Sequence, residues 1–209
     1  MDSGALACAR QYACVWFVSN LMKPAAPATR ATRDSWTMAA LHALSHGGVD
    51  AVRVEPLAKV LGVTKGSFYW HFENRDALLE ATLALWEQRG TKDIIAALER
   101  IASPAERLAS LFRNVSHAKG ATSHAALASA TEPLVKAALE RVAALRLGFL
   151  TDCYRELGMP PKTARRRARL AYTTYLGMMQ LMREAPSELS APAERKAYVE
   201  HVIETLVSV

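Results

Sequence analysis

Apolar residues recur with a period of about 3.6 along nearly the whole chain beyond residue 32, which is the spacing of one face of an α-helix. No alternation typical of a β-strand persists for more than a few residues. Turn-forming residues separate the helical stretches at Gly47-Gly48, Leu61-Gly62-Val63, His71 to Asn74, Pro104, near Gly120, Gly158 to Pro161 and Pro186 to Pro192. The pattern therefore predicts an all-α fold.

The first predicted helix runs from Asp34 to His46, with Asp34 or Ser35 as its N-cap and Gly47 as a left-handed stop. Two short helices follow. The next apolar stripe extends from Arg75 to Ile101 and is long enough to connect two domains. Four further amphipathic helices are predicted at Ala105 to Lys119, Pro133 to Leu157, Lys162 to Glu184 and Ala193 to Val207.

The N-terminal stretch from Ala5 to Met22 approaches the length of a membrane span, which is about 20 residues. It contains Arg10 and Gln11, and it lacks the charge pattern and cleavage site of a signal peptide, so we expect no membrane segment. Residues 1–29 are interpreted as an extension that is disordered, or whose residues 1–21 lie upstream of a true translation start at Met22. A genuine amphipathic helix is the alternative.

Composition narrows the picture further. The chain of 209 residues is 51% hydrophobic and 22% charged, so it can form a core, and its net charge of +6 favours an anionic partner. Its three cysteines, Cys8, Cys14 and Cys153, match no zinc or redox spacing, which favours a reducing cytoplasm. The densest basic run, Pro161 to Leu170, is interpreted either as a nucleic-acid patch or as a solvated face.

The segment VEPLAKVLGVTKGSFYWHF, residues 54–72, has the spacing of a helix-turn-helix. Its first helix carries a buried stripe at Val54, Leu57, Ala58 and Leu61. Gly62 supplies the backbone freedom that the tight turn requires, and Val63 is expected to pack in the corner.

The second helix of this motif is predicted to begin after Thr64 as its cap and to direct Phe68 and Phe72 toward the core. The opposite side is expected to face solvent. A helix fits the major groove of DNA and contacts base edges mainly through its first residues, so this side is a plausible reading face. The residues on this solvent-facing side are Lys65, Ser67, Tyr69, Trp70 and His71.

The sequence GVDAVRVEPLAKVLGVTKGSFYWHFENRDALLEA resembles the DNA-binding domain of the TetR/AcrR family of transcriptional regulators, and the resemblance is close from about Arg30 to Arg89. It implies a three-helix DNA-reading head, a fourth helix linking the head to a helical ligand domain, and a homodimer formed by the last two long helices. The expected domains are the extension 1–29, the DNA-binding domain 30–90 with the helix-turn-helix at about 53–72, and the ligand-binding and dimerisation domain 91–209.

The resemblance also implies which residues contact DNA. Positions that approach bases are Lys65, Gly66, Ser67 and Trp70. Positions that contact phosphates or lie beside them are Thr64, Tyr69, His71 and Arg75. A basic arm before the first helix corresponds to Arg30 and Arg33. The chain departs from the family pattern at Arg53, where a capping Ser or Thr is common; arginine cannot accept the free amide protons, but it can contact a phosphate.

Bulk charge adds little to this expectation, because Lys23 to Arg75 contain seven basic and four acidic residues. Affinity for DNA must therefore depend on the placement of charges and on dimer symmetry.

Candidate residues for a ligand pocket share an aromatic, methionine or histidine side chain in the later helices; the alternative is that they are ordinary core. They are Trp86, Phe112, His117, His124, Phe149, Tyr172, Tyr175 and Met179. A metal site at His117 and His124 is disfavoured, because Gly120 interrupts the helix and no third ligand lies at metal spacing. No cofactor is predicted.

These observations predict a ligand-responsive transcriptional regulator, most simply a repressor that binds double-stranded DNA at a palindromic operator as a homodimer. A largely apolar small molecule would release it. The same reading predicts a cytoplasmic protein that is not an enzyme. Two alternatives stay open: a helical enzyme, although Cys153 has no neighbouring histidine in sequence, and an interaction protein that uses its helix-turn-helix only for packing.

Overall fold

The structure is a computed structural model that describes residues 31–117, 127 and 131–207. Arg30, His124 and the extension 1–29 lie outside these residues, as does the side chain of His117. The described residues form helices and connecting turns and contain no strand, which confirms the all-α prediction. None of the helices described is long and apolar enough to cross a bilayer.

The helices are α1 Arg33–Gly47, α2 Val54–Leu61, α3 Lys65–Phe68, α4 Arg75–Glu87, α5 Asp93–Leu98, α6 Pro104–His117, α7 Pro133–Glu156, α8 Pro161–Glu184 and α9 Pro192–Val207. The last four nearly coincide with the predicted ranges, and each begins at a proline. A proline suits the first helical position, because its φ is already helical and its missing N–H has no partner to lose there.

The N-cap of α1 is Thr32, so the predicted caps at Asp34 and Ser35 are wrong. The Thr32 hydroxyl accepts a hydrogen bond from the Ser35 amide at 3.1 Å, and the Ser35 hydroxyl accepts one from the Thr32 amide at 3.2 Å. This reciprocal capping box moves the helix start toward the N-terminus. The stop is also one residue later than predicted, because Gly48, not Gly47, has a positive φ of 68°.

The predicted helix from Arg75 to Ile101 is not continuous in its hydrogen bonding. A π-helical turn, Gln88–Lys92, separates α4 from α5, and it contains Gly90. Widened turns of this kind occur mostly as short interruptions of α-helices. Periodicity alone predicts the length of such a stretch but not this change of bonding.

The described residues divide into two compact units. The first unit comprises 31–91 together with 127 and 131–142, and the second comprises 92–117 and 143–207. The first core contains Trp36, Leu44, Phe68, Leu78 and Leu83, and α1 packs against α4 within it. The second core contains Leu108, Tyr154, Ala168, Val199 and Ile203, and α6 packs against α9 within it. Residues 131–142 thus group with the first unit, whereas the predicted domains assigned them to the second.

Candidate nucleic-acid interface

The turn between α2 and α3 is built on Gly62, whose φ of 68° and ψ of 30° lie in the left-handed region. The Gly62 amide donates to the Lys59 carbonyl at 3.2 Å, and the Val63 amide donates to the Ala58 carbonyl at 3.0 Å. This pair of bonds is a Schellman motif, in which glycine adopts the left-handed conformation without steric cost. Val63 packs against the first core. The predicted roles of Gly62 and Val63 in the turn are confirmed.

Helix α3 is held on the first unit by Phe68, which is fully buried. Its ring meets Trp36 edge-on with a centroid separation of 5.3 Å and stacks on Phe72 at 5.7 Å. These contacts fix the rotation of a helix only four residues long. The inward orientation predicted for Phe68 and Phe72 is therefore confirmed.

Fixing Phe68 inward directs the neighbouring aromatic side chains outward. Trp70 is 88% exposed and Tyr69 is 59% exposed. Lys65 and Gly66 are exposed, and Ser67 is half-buried. Large apolar rings are not usually left in water beside one another without a binding role, so this surface is the strongest candidate site on the first unit.

The two N-cap positions of the motif are occupied, but neither side chain caps its helix. Thr64 precedes α3 and Arg53 precedes α2, and no hydrogen bond runs from either side chain to the first turn. Thr64 therefore occupies the predicted N-cap position of α3, but its side chain makes no capping hydrogen bond. Both side chains are exposed beside the candidate surface.

Lys65, the first residue of α3, forms an ion pair with Glu55 in the first turn of α2, with the lysine Nζ 2.8 Å from the carboxylate Oε1. Both side chains remain largely exposed, at 54% and 67%. The hydrogen bond lowers the pKa of Glu55 and raises the pKa of Lys65, so both groups are charged at neutral pH. Sequence reasoning missed Glu55, because the motif identified α3 as the reading helix and gave no reason to inspect its neighbour ten residues away.

His71 does not face solvent as predicted, because its ring is half-buried. Its Nε2 lies 2.9 Å from the Ala31 carbonyl, and its own carbonyl accepts a hydrogen bond from Arg33 Nη1 at 2.9 Å. Since Ala31 offers only an acceptor, Nε2 carries the proton in this contact. His71 therefore connects the end of α3 to the segment before α1.

Arg33 is the first residue of α1 and is not part of a preceding arm. Its guanidinium lies over the Phe72 ring, 4.4 Å from the centroid. The Arg75 side chain donates from Nε to the Val52 carbonyl at 2.8 Å and from Nη2 to the Val49 carbonyl at 2.9 Å. Both arginines thus hold the edges of the motif together.

The predicted ligand-pocket residues with described side chains are divided between the two units. Trp86 belongs to the first core, whereas Phe112, Tyr172 and Met179 are buried in the second. Tyr175 is half-buried and lies beneath the Arg146 guanidinium, 5.6 Å from the ring centroid.

An open cavity of about 1040 Å³ lies in the second unit, and among the pocket candidates with described side chains only Phe149 lines it. Its apolar wall includes Ile95 and Met159. On its polar side Arg107 donates to both carboxylate oxygens of Glu156, at 3.0 and 2.8 Å. The part of the chain that the structure describes holds no cluster of three His, Cys, Asp or Glu residues able to bind a metal.

Comparison with known proteins bears on this geometry. The family described as bacterial regulatory proteins, tetR family, matches residues 37–82, which cover most of α1, all of α2 and α3, and the first part of α4. Residues 37–82 therefore form a tetR-type domain. The tetracycline repressor protein class D of Escherichia coli is 40% identical over 52 residues, which are 25% of this chain and 24% of that protein. The chain thus matches about a quarter of the length of this curated relative.

Solved structures extend the likeness in fold beyond the tetR-type domain. The regulator FadR from Bacillus subtilis, in complex with stearoyl-CoA, matches with a TM-score of 0.62 at 17% sequence identity. The match covers 85% of this chain and 98% of the FadR chain. AibR, in complex with isovaleryl coenzyme A and operator DNA, matches with a TM-score of 0.60 at 17% sequence identity. The match covers 84% of this chain and 97% of the AibR chain. At these identities the likeness concerns the fold.

Proposed function

We propose that this protein is a ligand-responsive repressor of the tetR family that binds a palindromic operator as a homodimer and is released by a small molecule. The observation that carries the proposal is the exposed surface of α3 and of the turn after it, where Lys65, Tyr69 and Trp70 are exposed while Phe68 anchors the inner side. A helix so presented fits the major groove.

Two groups of residues divide the work of DNA binding in this proposal. Bases are approached by Lys65, Gly66, Ser67 and Trp70, while phosphates are contacted by Arg53, Thr64 and Tyr69, with Arg30 from the segment before α1. The contacts of Arg33, His71 and Arg75 with backbone carbonyls and Phe72 suit them to hold the motif rigid beside the DNA backbone.

The proposed dimer places two such helices in successive major grooves, about 34 Å apart, which requires an operator with matching two-fold symmetry. The modest charge of the head supports this arrangement, because one head alone would make few phosphate contacts.

The proposed effector is a largely apolar small molecule bound in the second unit. The apolar wall of the cavity beside Phe149 supports this. FadR and AibR, which have the same fold, are seen in complex with stearoyl-CoA and isovaleryl coenzyme A, which supports a small-molecule effector in general. Binding would favour a dimer with wrongly spaced heads, with a coupling of about 1 to 3 kcal/mol. A regulator of this kind works beside bacterial DNA, so we assign it to the cytoplasm.

The chemistry of Cys153 argues against a thiol-dependent enzyme. Burial raises the pKa of this thiol to about 11, which keeps it protonated at neutral pH. A nucleophilic cysteine requires the opposite shift. The cavity wall that Cys153 joins is therefore suited to binding.

Selection from a random duplex library tests the function directly. Full-length protein is incubated with the library at physiological salt, and the retained duplexes are sequenced. We expect a symmetric motif with two half-sites. Retention that is sensitive to salt and independent of sequence would contradict the proposal.

Variants assign the contacts. Lys65→Ala should weaken binding and relax base preference at one position of each half-site, whereas Tyr69→Phe should weaken all sequences similarly by removing a phosphate contact. The matched control is Lys162→Ala, which removes the same charge from the exposed face of α8 and should leave the motif unchanged. Equal effects of Lys65→Ala and Lys162→Ala would remove Lys65 from the interface.

A further inference from the structure

An acidic side chain lies within the surface that the proposed function assigns to DNA. Glu55 is exposed in the first turn of α2, and its carboxylate is 2.8 Å from Nζ of Lys65. A carboxylate facing a polyanion is repelled by the phosphates unless it meets a hydrogen-bond donor on the nucleic acid. Its position therefore calls for a specific partner in the groove.

The ion pair offers an acceptor and a donor side by side. In the major groove a G·C pair presents the O6 and N7 acceptors of guanine next to the N4 amino group of cytosine. Lysine is a common partner of guanine, and glutamate accepts from cytosine N4. The carboxylate and ammonium of Glu55 and Lys65 thus match the acceptor and donor order of one G·C pair.

We propose that Glu55 is a specificity-determining residue that reads a G·C pair jointly with Lys65. The carboxylate accepts from cytosine N4 and directs Lys65 Nζ toward guanine rather than toward the phosphates. At a C·G or A·T pair the carboxylate meets an acceptor oxygen, which lowers affinity. At a T·A pair it meets the adenine N6 amino group, but the lysine ammonium then faces the thymine methyl group where guanine offers N7. The inference rests on the proposed function, because it requires the α3 face to enter the major groove.

The surroundings of Glu55 favour this arrangement. Arg53 and Lys59 also lower the pKa of Glu55, so basic side chains flank the carboxylate and keep it charged near DNA. An ion pair this exposed contributes little to folding stability. Substitution of Glu55 should therefore leave the protein folded and change only what it binds.

The experiment is the random-library selection repeated with wild type, Glu55→Ala and Glu55→Gln. We expect one G·C position in each half-site of the wild-type motif, with other pairs disfavoured about tenfold. Glu55→Ala should lose the preference at that position while retaining the rest of the motif. Glu55→Gln should shift the position toward A·T, because an amide pairs with adenine N6 and N7.

A charge-matched control is Glu73→Gln, which removes an exposed carboxylate that follows α3 and should leave the motif unchanged. Identical motifs for wild type and both Glu55 variants would overturn this inference while leaving the proposed function intact. Absence of any wild-type motif would overturn both. Changed preference at every position, with altered thermal unfolding, would show a structural role for Glu55 and also overturn the inference.

Discussion

The two compact units of this protein are both helical, but the first presents an exposed candidate surface and the second contains a cavity. In the first unit, the four-residue helix α3 is fixed by the packing of Phe68 on Trp36 and Phe72, so that the side chains next to Phe68 lie in solvent. In the second, long helices direct most of their large side chains into a common core, and the cavity lies at its edge. Local sequence can specify an exposed surface when an anchor lies one residue away, but it specifies a cavity poorly, because a cavity depends on how several helices pack.

The largest effect is expected when Phe68, which anchors α3 in the first core, is replaced. Phe68→Ala should lower the free energy of unfolding by about 3 to 5 kcal/mol, because it removes a fully buried ring packed on Trp36 and Phe72. Chemical denaturation followed by tryptophan fluorescence measures it, since Trp36 and Trp86 are buried in this unit.

Trp70→Ala is the matched control for that variant, because the Trp70 side chain is 88% exposed. It should change stability by about 0.5 kcal/mol or less and still abolish operator binding. A similar loss of stability in both variants would mean that Trp70 belongs to the core, and the separation of anchor from reading face would fail.

Sequence reasoning succeeded where the physical cause is local. Gly62 was identifiable because a tight turn requires a left-handed residue, and Phe68 because its spacing from the buried stripe of α2 places it inward. Helix ranges in the second unit followed from periodicity. Each of these features is decided by residues within a few positions in the chain.

The side-chain partners of the motif were not identifiable in this way. Arg75 contacts carbonyls of residues 23 and 26 positions earlier, and His71 contacts the carbonyl of a residue 40 positions earlier. Such pairings appear only once α1 is packed against α4. The family resemblance predicts that these residues lie near DNA, but it does not predict the internal contacts that fix them.

The second-largest expected effect is a loss of folding stability at high pH, which is caused by Cys153 in the second core. Burial raises the pKa of Cys153 from 9.0 to about 11, so the folded state retains a proton that the unfolded state loses in this range. Stability is therefore fully present below pH 9 and falls by about 2 kcal/mol as the pH rises to about 11. Denaturation of wild type and Cys153→Ala by urea at pH 8, 9, 10 and 11 measures the difference.

Cys153→Ala should show a shallower decline over that interval, although its stability at pH 8 is lower because a buried side chain is shortened. Buried Tyr154, whose pKa is raised from 10.0 to about 12, adds to the decline from about pH 10 upward in both proteins, so the difference between them reports Cys153. Parallel pH profiles would mean that the thiol reaches solvent in the native state, and Cys153 would no longer count as core.

The smallest effects are expected from replacing one glycine by alanine in each of the two units. Gly62→Ala and Gly148→Ala both add a Cβ that has no atom within 4 Å, so packing does not distinguish them. Gly62 has a φ of 68°, and alanine there should cost about 1 to 2 kcal/mol. Gly148 lies inside α7, where alanine should stabilise the helix by about 1 kcal/mol. Thermal unfolding of the full chain should therefore shift down for one variant and up for the other. A downward shift for both would contradict the assignment of the Gly62 cost to its left-handed backbone.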